Sequence, residues 1–180
     1  MRERGISLRK QLLISSKEQV EIYRTKIIDT TNDRIKDQFQ NCEGIELLRK
    51  IKFTQSGFDP LFDESTNFIE MTNQVFTYLV CLKAVDFLLI EYPSHKFYVN
   101  FGTESGYDVI SEDESIICEC FAATIPDNNL KLEKDVKKVF ENKQASQRYV
   151  IFYVSNPKPI HVENIKTKYQ GVKIISLNII

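Results

Sequence analysis

The feature that most constrains the fold is an alternation of apolar strands and amphipathic helices over the last third of the chain. The pattern predicts a buried strand over residues 115–124, followed by an amphipathic helix over residues 130–143. An apolar strand over residues 148–154, a short helix near Val162 and a closing strand over residues 172–179 complete it. Strands that alternate with helices pair in parallel through crossover connections, so this region predicts an α/β fold.

Two further strand patterns precede this alternation. Residues 97–101 and 107–110 are apolar enough for strands, and the polar turn at residues 111–115 joins the second of them to the next strand. A hairpin adds antiparallel strands to the sheet, so we expect a mixed central β-sheet flanked by helices. A long helix is predicted upstream, starting at Ser65 or Thr66.

The first third of the chain has a helical character. Ser16 and Gln19 have the spacing of a capping box, which predicts the start of a first helix. A second helix is predicted within residues 29–50, and Gly57 to Pro60 mark a break. We therefore expect an N-terminal helical elaboration over residues 1–58 and an α/β core over residues 59–180, together forming one compact domain.

Composition limits the classes of function. The chain has 180 residues, 42% of them hydrophobic and 27% charged, which is typical of one globular domain. Its net charge of -1 gives no general attraction to nucleic acid, so any basic surface has to come from local clustering. The four cysteines form no CxxC pair and the two histidines are far apart, which argues against a zinc site.

Targeting patterns point to a cytoplasmic protein. Residues 1–5 are charged and lack the apolar stretch of a secretory signal. The longest apolar run, residues 75–90, is interrupted by Lys83 and Asp86 and reads as too short to span a bilayer. We therefore expect no membrane partner and a cytoplasmic location.

Three acidic residues are the candidates for chemistry: Glu70 in the long helix, Asp108 in one strand and Glu119 in the next. A symmetric turn around Asp113 places Asp108 opposite position 118 or 119, so the carboxylates of Asp108 and Glu119 can lie within about 5–8 Å of each other. Glu119 lies in the apolar stretch 116–122, where a carboxylate is costly to bury without a partner. A divalent cation is one such partner, because Mg²⁺ binds carboxylates, water and phosphate oxygens.

These residues resemble the PD-(D/E)xK nuclease superfamily. Gly106 to Ile110, a turn, and the stretch 117–122 are similar to its catalytic hairpin, and the following helix and strand extend the likeness over residues 65–155. The resemblance implies a restriction-endonuclease-like core in which Asp108 and Glu119 bind Mg²⁺ (or Mn²⁺) and Glu70 assists the metal or a water. The bound metal would polarise the scissile phosphate and acidify the attacking water.

The sequence departs from the family pattern at the lysine position, two residues after the motif glutamate. That position is Phe121, which shares the strand face of Glu119. Relatives supply the missing cation from the next helix, where Lys131 and Lys134 lie in the first turns, with Lys138 on the same side. We expect Lys131 or Lys134 to replace the motif lysine.

Two functions follow from the resemblance. The first is a Mg²⁺-dependent nuclease that hydrolyses DNA, with RNA as another substrate and a homodimer as a plausible assembly. The second is a catalytically inactive module of the same fold that serves binding or assembly, for which Phe121 is the argument. A third hypothesis is a small α/β interaction protein with no nucleic-acid role, for which the near-neutral net charge is the argument. Each acid also has a structural alternative: Glu119 as the partner of a lysine of the following helix in an ion pair, Asp108 as a strand-end acid and Glu70 as a solvated helical residue.

Overall fold

The fold is built on one six-stranded sheet, seen in a computed structural model that describes residues 10–40, 42–102 and 105–178. Its helices are α1 (Lys17–Phe39), α2 (Gly44–Phe53), α3 (Phe68–Glu91), α4 (Lys131–Glu141) and α5 (Pro159–Lys168). The strands are β1 (Gln11–Ile14), β2 (Gly57–Phe58), β3 (Ser65–Thr66), β4 (Phe97–Asn100), β5 (Val109–Ser111), β6 (Ile116–Ala123), β7 (Gln147–Val154) and β8 (Lys173–Ser176).

The sheet has the order β1-β4-β5-β6-β7-β8. The first four strands pair antiparallel, whereas β6, β7 and β8 pair in parallel, with α4 and α5 in the two connections. The short strands β2 and β3 form a separate antiparallel pair. The predicted α/β class and the mixed central sheet flanked by helices are therefore confirmed.

The two faces of the sheet carry two hydrophobic core clusters. Side chains alternate between faces along a strand, so β6 contributes to both clusters. Cys118 and Cys120 join the cluster that contains the buried residues of α1 and α3. Ile117 and Phe121 join the cluster that contains the buried residues of α4 and α5. Glu119 has the same parity as Ile117 and Phe121, so its side chain lies on the α4 face.

Capping side chains set the starts of the two long helices. Ser16 caps α1, where its side chain accepts a hydrogen bond from the Gln19 N–H at 3.2 Å, as the spacing predicts. Asn67 caps α3 by accepting from the Glu70 N–H at 2.8 Å. The helix expected from Ser65 or Thr66 therefore begins later, because those two residues form β3 instead.

Several predicted boundaries in the first half were wrong. The polar residues 29–39 continue α1, and the second helix is confined to Gly44–Phe53. Strand β1 was not predicted, although it pairs with β4 at the edge of the sheet. Its four residues are too few to show an alternating pattern, and only pairing with β4 makes them a strand. The expectations for residues 1–5 and for Ile179 lie outside the described residues, and the division at residue 58 stays a prediction.

Helix α3 corrects the expectation that its apolar run is too short to span a bilayer. It has 24 residues, and its most apolar 18-residue window has a mean hydropathy of 1.4, so by length and composition alone it would cross a membrane. Half of that apolar window is buried, as in the core helix of a globular protein, which passes the same test. Within the described residues it is the single helix of this kind, which is weak evidence for a membrane.

Candidate functional site

Asp108 and Glu119 come together at one end of the β5–β6 hairpin. Val109 pairs with Cys118 and Ile110 with Ile117, so continuing the register places Asp108 opposite Glu119. The Asp108 carboxylate accepts a hydrogen bond from the backbone N–H of Cys120 at 2.7 Å. The predicted opposition of the two acids is confirmed by this register, but the prediction that Asp108 lies in a strand was wrong, because β5 begins at Val109 and Asp108 precedes it.

Glu119 is buried in the sheet but paired with a cation. Glu119 is only 4% exposed. The Glu119 Oε1 atom accepts a hydrogen bond from the Lys138 Nζ amine at 2.7 Å. Lys138 extends from the second half of α4 and also donates to the carbonyl of Gly106 at 2.5 Å. The helix after β6 therefore brings a lysine to the motif glutamate.

A second lysine of α4 reaches the same region. The Lys131 Nζ donates to Asp135 Oδ1 at 2.7 Å, an ion pair between residues one helical turn apart. The Lys131 amine also lies 5.9 Å from the centroid of the Phe121 ring. Lys134 is exposed and forms no ion pair with Asp108 or Glu119. Of the two predicted substitutes, Lys131 is the one that lies beside the site.

The sequence analysis missed Asp135, and although it allowed an ion pair between Glu119 and a lysine of the following helix, it did not single out Lys138. The signal for Asp135 was its position in the apolar stripe of α4, between Leu132 and Val139, where an acid is rarely placed without a partner. Nothing in the helix itself distinguishes Lys138 from its neighbours. Its contact with Glu119 depends on how α4 packs across the sheet.

Phe121, at the position where the resemblance implies a lysine, is an aromatic core residue. Its side chain is almost fully buried, at 3% exposure. The ring stacks on Phe152 of β7, with centroids 5.1 Å apart and an interplanar angle of 5°. The two residues are directly paired in the parallel register of β6 and β7. The two lysines that reach this region, Lys131 and Lys138, both belong to α4.

Burial and mutual repulsion shift the protonation of the acidic pair. Burial, followed by the charge of Asp108, raises the pKa of Glu119 to about 7, although the hydrogen bond from Lys138 opposes both. Burial also raises the pKa of Asp108, against the backbone hydrogen bond from Cys120 and the charges of Lys131 and Lys138. The positive charge at the site therefore compensates the two carboxylates only in part.

Asp108 also lines a polar cleft beside the N-terminal half of α3. The cleft has a volume of about 720 Å³, and its walls include Lys10, Glu64, Glu70 and Gln74. The Glu70 carboxylate accepts hydrogen bonds from Thr66 Oγ1 at 2.8 Å and from Asn67 Nδ2 at 3.4 Å. Glu70 therefore closes a capping arrangement at the start of α3, and it shares the cleft with Asp108. Its predicted help to a metal or water stays a prediction.

The donor set suits Mg²⁺ better than a metal that needs a full protein cage. Within residues 10–40, 42–102 and 105–178, no group of three or more His, Cys, Asp or Glu side chains is arranged to hold a metal ion. Mg²⁺ takes one or two carboxylates and completes its shell with water and substrate phosphate oxygens. Asp108 and Glu119 supply that number of carboxylates. Burial is the largest cause of their raised pKa values, and a cation beside them would favour the ionised form of both.

Comparison with family models, with curated proteins and with solved structures found no match for this chain.

Proposed function

We propose that the protein is a metal-dependent nuclease with a restriction-endonuclease-like core that hydrolyses DNA phosphodiester bonds. The observation that carries this function is the meeting of Asp108 and Glu119 across the β5–β6 hairpin, with two lysines of α4 beside them. Paired carboxylates with nearby amines suit metal-dependent phosphodiester hydrolysis, because that reaction uses a bound cation and compensation of developing negative charge.

The order of elements supports the same proposal. Helix α3 is followed by the antiparallel strands β4, β5 and β6, then by α4, and then by β7 in parallel beside β6. The resemblance implies this succession of a helix, a catalytic hairpin, a second helix and a further strand. In this proposal Asp108 and Glu119 take the positions of the motif acids on that hairpin.

The side chains have distinct roles in the proposed reaction. Asp108 and Glu119 would hold Mg²⁺ or Mn²⁺, which when bound polarises the scissile phosphate and acidifies the attacking water. Lys138 favours the ionised form of Glu119 through its hydrogen bond, against the burial that raises the pKa of this acid. The amine of Lys131 lies near the motif lysine position, where it would offset the negative charge that builds on the phosphate.

The substrate would reach Asp108 through the cleft that this residue lines. DNA is the proposed substrate and RNA the alternative, since a phosphodiester is all that the site requires. A homodimer would bring two sites to a duplex, because one small site cuts one strand at a time.

A catalytically inactive module of the same fold is the second candidate. Two observations favour it: Phe121 is locked in the core by Phe152, and Glu119 already has an ion-pair partner in Lys138. In this case the acids and lysines of the hairpin and α4 would hold the helix on the sheet.

A cleavage assay separates the two candidates. The purified protein is incubated with plasmid and single-stranded DNA in Mg²⁺, Mn²⁺ or EDTA, beside the variants Glu119→Gln and Asp108→Asn. We expect cleavage that requires metal and falls by at least about 100-fold in both variants, because each removes a carboxylate charge at the metal.

Glu112→Gln is the matched control, since Glu112 is an exposed acid on the same hairpin whose pairing with Lys96 is loose, at 3.9 Å. It should cleave at the wild-type rate. Intact DNA with the wild-type protein under every metal condition would favour the inactive module. Cleavage that persists in Glu119→Gln would show that the site lies elsewhere.

A further inference from the structure

Asp135 is a buried acid that packing alone does not explain. It is 4% exposed and stands in the apolar stripe of α4 beside the buried Leu132 and Val136. Its Oδ1 atom accepts a hydrogen bond from Lys131, whereas Oδ2 is buried and has no hydrogen-bond partner among the described residues. A half-satisfied carboxylate destabilises a protein interior, and an apolar residue would pack there at less cost. A role other than stability is the simplest reason for an acid at this place.

The surroundings of Asp135 are those of the candidate site. The charges that act on it are Lys131 and Lys138 of its own helix and Asp108 at the hairpin, and its own charge acts in turn on Glu119. An ammonium group placed near two carboxylates tends to pair with one of them. Lys138 does so with Glu119, but Lys131 pairs with Asp135 instead.

We propose that Asp135 is a positioning residue, which holds the amine of Lys131 over Phe121 and keeps it from pairing with Asp108 or Glu119. One of the three N–H donors of that amine is used by Asp135 at 2.7 Å, and the others stay available to a phosphate. In this proposal two residues of α4, Lys131 and Asp135, together place an amine near the motif lysine position. This role rests on the proposed nuclease function.

The pKa of Lys131 agrees with a held amine. Burial lowers the pKa of Lys131, but the hydrogen bond and charge of Asp135, with smaller effects of Asp108 and Glu119, outweigh burial. The pKa is therefore higher than that of an ordinary lysine. Lys131 therefore stays protonated at neutral pH although its side chain is only 45% exposed.

The test is a kinetic comparison of wild type, Asp135→Asn, Lys131→Met and the double variant, on DNA with Mg²⁺. Asparagine keeps the shape of the side chain and removes the charge. We expect Asp135→Asn to lower kcat by about 100-fold with KM within about twofold, because a misplaced catalytic group costs rate rather than binding. The double variant should be no slower than Lys131→Met, since the two residues act through one amine.

Glu141→Gln is the matched control. Glu141 pairs with Lys137 on the same helix at the same spacing, but at 3.7 Å and with both side chains mostly exposed. We expect its kcat to equal that of the wild type. A second readout on unmodified protein, NMR titration of the Lys131 amine, covers the case in which Asp135→Asn folds poorly. It should give a pKa above the 10.5 of an ordinary lysine.

The outcomes separate the two claims. If the wild-type protein cleaves DNA, any one of three results would overturn the positioning role and leave the nuclease function in place. These are an unchanged kcat in Asp135→Asn, additive losses in the double variant, and an ordinary pKa for Lys131. A wild-type protein that cuts no DNA with any metal overturns the nuclease function, and the positioning role with it.

Discussion

Among single residues, Glu119 is the one on which both the proposed metal site and the pH dependence of stability depend. A carboxylate in the middle of a sheet is stable only when hydrogen bonds and positive charge replace the water it has lost. Lys138 provides part of that replacement, yet burial and Asp108 still raise the pKa of Glu119 to about 7. An acid whose pKa is higher in the folded protein than the ordinary 4.5 binds protons more tightly when folded.

The sign of the pH effect follows from this difference. The folded protein gains stability from protonated Glu119 below about pH 4.5, and it loses that stability as pH rises through about 7. We predict that Glu119→Gln, measured in EDTA by urea unfolding, raises the free energy of unfolding by on the order of 1–3 kcal/mol at about pH 8, and that this gain vanishes near pH 4.5.

Glu112→Gln controls for the loss of a surface charge and should stay within about 0.5 kcal/mol of wild type at both pH values. A Glu119→Gln variant that is less stable than wild type at about pH 8 would show that the pair with Lys138 stabilises the fold more than burial destabilises it.

At the scale of elements, the hairpin was predictable and the helix contacts were not. The polar turn around Asp113 fixes which residues of β5 and β6 face each other, so the sequence predicts the meeting of Asp108 and Glu119. No such local rule chooses among the lysines of α4. Lys138 rather than Lys134 reaches Glu119 because of the rotation and tilt of the helix on the sheet, which depend on the whole α4 core.

The start of α3 gives a second test at this scale. Gly57 of β2 lies against the cap of α3, and a Cβ atom added there would be 2.3 Å from the backbone oxygen of Asn67 and 3.0 Å from Met71 Cβ. The main chain has to move to admit it. We therefore predict that Gly57→Ala lowers the free energy of unfolding by about 1–3 kcal/mol, measured by urea unfolding.

Ser65→Ala is the control for Gly57→Ala, because Ser65 is an exposed residue of the partner strand β3. It should change stability by less than about 0.5 kcal/mol. An unchanged free energy of unfolding in Gly57→Ala would contradict the close contact between Gly57 and the cap residue Asn67.

At the scale of the whole molecule, the α/β class and the mixed sheet followed from periodicity, whereas the sheet's far edge did not. The strand and helix patterns after residue 115 predicted β6, α4, β7, α5 and β8 in order. Strand β1 joins the sheet from more than 80 residues away in sequence, through its pairing of Leu12 with Val99. Such a long-range pairing leaves no local mark in a four-residue strand.

The net charge of -1 is a property of the whole molecule that bears on its attraction to DNA. No overall field draws the molecule to DNA, so we expect recognition to depend on the few amines near the site and on the bound cation. Whatever the substrate, the proposed function requires that Asp108 and Glu119 bind a divalent metal.

The most direct test is titration of the protein with Mn²⁺, followed by electron paramagnetic resonance of the free ion, at about pH 8 and about pH 5.5. We predict that one ion binds per chain at the higher pH, and that binding is weaker at the lower pH because Glu119 is then protonated. The site should be lost in Glu119→Gln and in Asp108→Asn but kept in Glu112→Gln. Absence of binding at about pH 8, or binding that survives both site variants, would contradict the proposed metal site.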